Sequence, residues 1–204
     1  MKKLMRKIVI ATSNPGKISE FEDFFKNLPY AFVTQSEFNI PEIEETGLTF
    51  IENALFKARF VSKMTGLPAI ADDSGLVVDV LNGAPGIYSA RYAGENATAE
   101  DNIAKLLANL KNIREKMRTA RFYCALVFLQ NWDDPLPVVI AEGFWEGRIL
   151  FEPTGTGGFG YDPVFYVPTH QCSAAELSKS DKMCISHRGQ ALKLLGEHLS
   201  TLEK

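Results

Sequence analysis

Apolar positions along the chain recur in two rhythms, short unbroken runs and stretches spaced by three or four residues, and turn chemistry separates them. Lys7 to Thr12 is a short β-branched run closed by Ser13-Asn14-Pro15-Gly16, which predicts a buried strand followed by a turn. From about Lys17 to Leu28, Ile18, Phe21, Phe24 and Phe25 fall on one helical face. A second helix is expected to open at Thr49, where Thr49 and Glu52 have capping-box spacing. It runs through Ala54, Leu55, Ala58 and Val61 to Thr65, with Gly66 as its stop. Ala69-Ile70-Ala71 then predicts a strand that enters Asp72-Asp73-Ser74-Gly75 and resumes at Leu76 to Leu81. After the glycine-rich stretch Asn82 to Gly94, Thr98 and Asp101 open another helix. Ala120 to Gln130 and Val138 to Leu150 read as an antiparallel hairpin around Asp133-Asp134-Pro135. The irregular stretch Glu152 to Asp162 leads to a short strand at Val164 to Val167, and a last helix covers roughly Gln190 to Leu202. Helices and strands alternate before the hairpin arrives, so the fold class is α/β with a mixed sheet.

Composition narrows the functional classes. A chain of 204 residues buries roughly 70% of its unfolded surface and folds without a disulfide or structural metal. Its formal charge of −3 lacks the basic excess of a non-specific nucleic-acid or membrane-surface binder. The three cysteines, Cys124, Cys172 and Cys184, have no CxxC spacing and read as free thiols in a reducing compartment. The N-terminus, Met1-Lys2-Lys3-Leu4-Met5-Arg6-Lys7, is briefly basic. The apolar run behind it, Ile8-Val9-Ile10-Ala11, is too short for a signal h-region or a membrane span, which makes the cytoplasm the expected location.

Candidate chemistry begins with acids. Asp72 and Asp73 follow an apolar strand directly, and Glu42, Glu44 and Glu45 precede the second helix. Neighbours on a strand point to opposite faces, so the two aspartates diverge unless the strand has ended. Hard carboxylate oxygens at a strand end suit Mg²⁺, which keeps several waters and is completed by substrate phosphates. An Asx turn accounts for the pair equally well. Thr12-Ser13-Asn14-Pro15-Gly16-Lys17 joins strand to helix, where free N–H groups and positive potential favour phosphate. It lacks the second glycine and the Ser or Thr of a Walker A loop, so an ordinary strand–helix turn is the competing account. Lys57 and Arg91 are ambiguous between solvated and site-facing cations.

Gly155-Thr156-Gly157-Gly158-Phe159-Gly160-Tyr161-Asp162 holds four glycines in six positions, a backbone able to approach a ligand closely. Phe159 and Tyr161 offer rings to a planar base and Asp162 an acceptor to its edge; the other reading is that the aromatics plug the core. Lys182, His187 and Arg188 gather anion-friendly side chains within seven residues, ahead of the last helix. No serine elbow, zinc spacing or Rossmann GxGxxG between a strand and a helix is present. Oxygen ligands for magnesium, several phosphate-binding groups and an aromatic platform together fit a nucleoside triphosphate.

Six segments also resemble one known family in order. Ala11 to Lys17, Glu44 to Ala54, Ala71 to Leu76, Gly83 to Arg91, Gly155 to Asp162 and Ile185 to Gly189 resemble the inosine/xanthosine triphosphate pyrophosphatase family (the RdgB type), over about Lys7 to Leu195. The resemblance implies Mg²⁺-dependent hydrolysis of ITP, dITP and XTP to monophosphate and pyrophosphate, which keeps aberrant bases out of DNA and RNA. It implies one domain of two lobes over residues 1–204, an elongated mixed sheet flanked by helices, a nucleotide cleft between the lobes, and a homodimer. Carried over by motif, Thr12, Ser13, Asn14, Pro15, Gly16 and Lys17 cradle the phosphates, and Asp73 is proton acceptor and metal ligand. Glu44 or Glu45 is the second ligand, while Ser74 and Lys57 support the triphosphate; of the acidic pair, Asp73 is read as serving metal and water and Asp72 as supporting, within the substrate-binding set. Phe159, Gly160, Tyr161, Asp162, Lys182, His187 and Arg188 bind the base and ribose. Met183-Cys184 departs from the small or polar residues usual there, which bears on how Lys182 is set.

Two rivals remain at this level. Maf-type pyrophosphatases share the broad chemistry on modified pyrimidine or 7-methylguanosine triphosphates; the Phe159 loop and the His187-Arg188 run favour the purine reading. A non-catalytic nucleotide- or RNA-binding module has no need of Glu44, Glu45, Asp72 and Asp73.

Overall fold

A computed structural model describes residues 6–26, 28–41, 43–134 and 139–201. Met1 to Met5, Glu42, the turn residue Pro135, the expected strand start Val138 and the expected helix end Leu202 lie outside the described residues. Among the described residues seven strands form one sheet in the order β2-β1-β3-β4-β5-β6-β7. They are β1 (Arg6–Ala11), β2 (Tyr30–Thr34), β3 (Ala69–Val78), β4 (Thr119–Leu129), β5 (Val139–Ile149), β6 (Phe165–Val167) and β7 (Cys172–Ser173). β1 runs parallel to both β2 and β3, whereas β5, β6 and β7 pair antiparallel, so the sheet is mixed as expected. Among the described residues five α-helices accompany it: α1 (Pro15–Phe25), α2 (Phe50–Thr65), α3 (Ala99–Asn109), α4 (Lys179–Ile185) and α5 (His187–Thr201). No helix among the described residues is long and apolar enough to cross a membrane.

By contact density the described residues divide into two units, each with its own core. The first comprises those up to Asp73, those within 125–142 and those from Ala191 on. In its core the small faces of Ala54 and Ala58 on α2 pack with Val9, Ala11, Ala69, Ala71 and Val127. Alanines spaced by four give a helix a flat stripe, which lets α2 lie close on β1 and β3. Asn53 and Lys57, one residue before each alanine, share the adjoining stripe of the same helix. The second unit, residues 74–124 and 143–190, centres on Leu76, Leu106, Phe122, Trp145, Tyr161 and Phe165.

Local chemistry explains most element ends. Thr49 accepts from the Glu52 N–H (3.2 Å), and Glu52 returns a carboxylate oxygen to the Thr49 N–H (2.9 Å), the expected capping box. Gly66 ends α2 in the left-handed region at φ 67°. Pro15 opens α1 two residues before the expected start, since Asn14 caps the helix by accepting from the Lys17 N–H (3.1 Å). Three elements were not legible. β2 is half-buried on both faces and shows little alternation, and its Phe32 ring stacks on Phe25 at 4.7 Å. α4 is a seven-residue helix and β7 has two residues, both below the length at which periodicity speaks. α5 begins at His187 rather than near Gln190, so His187 and Arg188 lie in its first turn instead of ahead of it.

Because the Thr49 cap closes the α2 N-terminus, Thr49→Ala should lower unfolding free energy by about 1 kcal/mol. A urea midpoint shift with unchanged slope checks this.

Candidate active site

β3 does not end at the aspartates: Ala69–Val78 is one continuous strand through Asp72, Asp73 and Ser74. Alternation therefore sends the two carboxylates to opposite faces, as a strand requires and an Asx turn would not. Asp72 ion-pairs with Lys17 from the first turn of α1. Asp73 accepts from Asn53 Nδ2 (3.1 Å) and lies 3.6 Å from Lys57 Nζ. Lys57 Nζ also donates to Glu45 Oε1 at 2.6 Å, so one ammonium stands between two carboxylates. All six residues belong to the first unit.

Burial and charge oppose each other here. Asp73 is 5% exposed, and its pKa rises to about 6 because burial penalises the charged carboxylate. The like charge of Glu45 pushes it the same way, against Lys57, Lys17 and the Asn53 amide. For Lys57, burial works against the ammonium, but Asp73 first, then Glu45 and Asp72, more than offset it, and the pKa lies above the ordinary lysine value. A buried carboxylate poised near neutrality is what a general base needs. Glu45 and Asp73 already gather around a cation, and their hard oxygens fit Mg²⁺, which commonly takes one or two carboxylates plus phosphates and water. Among the described residues no third His, Cys, Asp or Glu joins them, so substrate oxygens and water would have to complete the shell. Glu44 is exposed while Glu45 carries the contact to Lys57.

The turn before α1 is locally hydrogen-bonded and open to solvent. Thr12 Oγ1 accepts from the Asn14 N–H (3.2 Å), Ser13, Asn14 and Pro15 are exposed, and Gly16 and Lys17 are half-buried in the first turn of α1.

The second unit holds a different cluster. Asp162 Oδ2 accepts from Lys182 Nζ (2.5 Å) and from the Phe159 N–H (2.8 Å). The Phe159 ring, 36% exposed, lies 4.6 Å from Lys182 Nζ and 5.7 Å from the Arg188 guanidinium. A Cβ at Gly158, at φ 72°, would collide with the Asp162 carboxylate, so only glycine admits this close turn, and Gly160 follows at φ 60°. Arg188 is buried and donates from Nη2 to Ser74 Oγ (2.7 Å). Tyr161 behaves as the core-plug reading has it: it is buried and donates its hydroxyl to Ser89 O (2.9 Å), and burial pushes its pKa up. His187 is also buried, stacked on Phe122 at 4.8 Å and 12° and facing Trp145 at 6.3 Å. Arg91 pairs with Glu95 (3.7 Å) and faces the Tyr88 ring, outside both clusters.

The model of the Ham1 family matches residues 8–198, which includes every residue of both clusters. This chain belongs to the Ham1 family. It is 57% identical over 191 residues to the dITP/XTP pyrophosphatase of Escherichia coli O157:H7, covering 94% of this chain and 96% of that protein. The dITP/XTP pyrophosphatase of Vibrio parahaemolyticus is 56% identical over 196 residues, 96% of this chain and 98% of the relative. Among solved structures, a HAM1 protein from Coxiella burnetii superposes with TM-score 0.91 at 50% identity, covering 97% of this chain and all of that one. The Staphylococcus aureus Ham1 protein gives TM-score 0.86 at 44% identity, covering 98% and 100%.

Two residues of this Ham1-family chain take part without having been given a role from sequence. Asn53 is one, legible only as a polar residue beside the alanine stripe of α2. Ser89 is the other: its hydroxyl donates to Gly86 O (2.6 Å) and accepts from the Leu76 N–H (2.9 Å), while its carbonyl holds Tyr161.

Raising the Asp73 pKa has a consequence for metal-free protein. Below about pH 4 the carboxyl is neutral whether folded or unfolded. Between there and its folded value near 6 the native state binds the extra proton, so stability falls as pH rises through that window. Asp73→Asn carries no such charge. At pH 8 in chelator it should be more stable than the wild type by roughly 2–3 kcal/mol, with the difference vanishing near pH 4. Urea unfolding at both pH values measures this, and a less stable variant at pH 8 would mean that pairing with Lys57 and Lys17 outweighs burial.

Proposed function

We propose that this chain hydrolyses deaminated purine nucleoside triphosphates, ITP, dITP and XTP, to the monophosphate and pyrophosphate, removing aberrant nucleotides from the pool. The observation that carries the reading is the buried Asp73, with a pKa near 6, facing Glu45 across Lys57. The names of the relatives at 56–57% identity support the substrate class. Asp73 accepts a proton from the water that attacks the α-phosphorus; the α–β bond breaks and pyrophosphate leaves. Asp73 and Glu45, with Glu44 beside them, are the residues that would hold Mg²⁺, which supplies charge neutralisation on phosphate oxygens when bound. Lys17 and Lys57 offset the charge that grows on the leaving pyrophosphate. The turn Thr12 to Lys17 and Ser74 cradle the phosphates, and Asp72 orients Lys17.

Base recognition falls to Phe159 as stacking face and to Lys182, Arg188 and His187, with Gly160 and Asp162 shaping the loop and Tyr161 backing it. A 6-oxo purine accepts a hydrogen bond that the adenine 6-amino group cannot, and ATP leaves a buried donor unmatched at a cost of roughly 1–3 kcal/mol. Lys182, buried and held by Asp162, suits that donor role. We read the chain as a single two-lobed pyrophosphatase domain that works as a cytoplasmic homodimer; sedimentation of the purified protein tests the assembly.

Pyrophosphate release from ITP, XTP, ATP, GTP and dTTP, with and without Mg²⁺, tests the reading. Preference for ITP and XTP in the presence of Mg²⁺ is expected; hydrolysis of none removes the enzyme claim, and preference for dTTP removes the substrate claim. Asp73→Asn should lower kcat by about 10²–10⁴-fold, the usual contribution of a positioned base. Lys182→Met should cut the ITP-over-ATP ratio of kcat/KM by roughly tenfold or more while leaving the ATP rate near wild type.

A further inference from the structure

Asn53 is 0% exposed, an amide with two donors and one acceptor sealed inside the first unit. A buried amide needs partners on both ends. Its Oδ1 accepts from the Gly47 N–H (2.8 Å), and its Nδ2 donates to Asp73 Oδ2 (3.1 Å). The orientation is not arbitrary. The Gly47 N–H that faces the amide can only donate, so the amide oxygen meets it and the NH₂ turns to the carboxylate.

Gly47 lies two residues after Glu45. The amides that follow it are fastened to the same turn of α2, with the Leu48 and Thr49 N–H groups donating to Glu52 Oε2 at 2.8 and 2.9 Å. Four residues on from Asn53, Lys57 grips the Glu45 carboxylate. Glycine at 47 is required for the fit, since a Cβ there would stand 2.6 Å from Asn53 Oδ1 and 2.8 Å from Glu52 Cβ. One side chain therefore fixes the backbone that carries Glu45 and, from its other end, the Asp73 carboxylate.

We propose that Asn53 is a positioning residue that sets the separation of the Glu45 and Asp73 carboxylates, and through it both the cation affinity of the pair and the placement of Asp73 for reaction. The inference rests on the roles given to Glu45 and Asp73 above. Side chains that orient metal-binding carboxylates typically change metal affinity or activity 10–100-fold when removed.

Two variants test it. Asn53→Leu keeps volume and removes both bonds; Gly47→Ala keeps both bonding groups but displaces the amide. The readouts are Mn²⁺ uptake by nucleotide-free protein, followed by the loss of the free-ion resonance signal, and kcat and KM for ITP. Both variants should bind Mn²⁺ about tenfold or more weakly and lose kcat by about 10–100-fold, with KM for ITP within about threefold of wild type. Folded variants with lowered melting temperature but wild-type Mn²⁺ affinity and kcat would reduce Asn53 to a helix-end anchor and overturn the proposal. Loss of the fold in both, or no Mn²⁺ uptake by the wild type, also counts against it. If the wild type takes up Mn²⁺ and the variants do not, yet ITP is not hydrolysed, the substrate reading fails and the role of Asn53 stands.

Discussion

Everything at the candidate active site follows from two carboxylates sharing one ammonium in a place with little water. Glu45 and Asp73 repel each other, and burial makes the charge on Asp73 costly; Lys57 relieves both only in part. The remaining imbalance raises the Asp73 pKa to about 6. Had Asp73 been exposed, its pKa would have stayed low and the group would be a poor base. Had Lys57 been nearer to it, the ion pair would have closed and held Asp73 in its charged form.

The scaffold is arranged to hold that imbalance. β3 presents Asp72 and Asp73 on opposite faces, and Lys17 ion-pairs with Asp72 while its charge also favours the ionised form of Asp73. The stripe of Ala54 and Ala58 lets α2 lie close on the sheet, and the adjoining stripe delivers Asn53 and Lys57 to Asp73. Four polar side chains are thus fixed by the pleat of one strand and the pitch of one helix, neither of which has freedom to drift.

In the second unit side chains are fixed by the same kind of pairing. Asp162 is satisfied by Lys182 and a backbone N–H, which fixes the ammonium under the Phe159 ring. Arg188 is fixed by Ser74, and the aromatic packing of Phe122 and Trp145 immobilises His187.

Periodicity, capping chemistry and turn residues located β1, α1, α2, α3, β3 and β4 and the mixed character of the sheet, because those signals are local and repeat over whole turns or strands. Motif order carried the family, and with it the acids, cations and aromatic loop. β2, α4 and β7 escaped because they are short or half-buried on both faces, so neighbours rather than pattern define them. Asn53 and Ser89 escaped for a related reason: each does its work through a partner at least 13 positions away, Asp73 or Leu76. The residue types and their spacing belong to the sequence, whereas the continuity of β3 that separates Asp72 from Asp73 is open there and is decided by the structure. That Asp73 is buried beside Glu45 rather than Glu44, that Lys57 stands between them, and that Tyr161 and His187 lie within the core belong to the tertiary structure. Burial and charge proximity are sums over residues far apart in the chain, and no local pattern contains them.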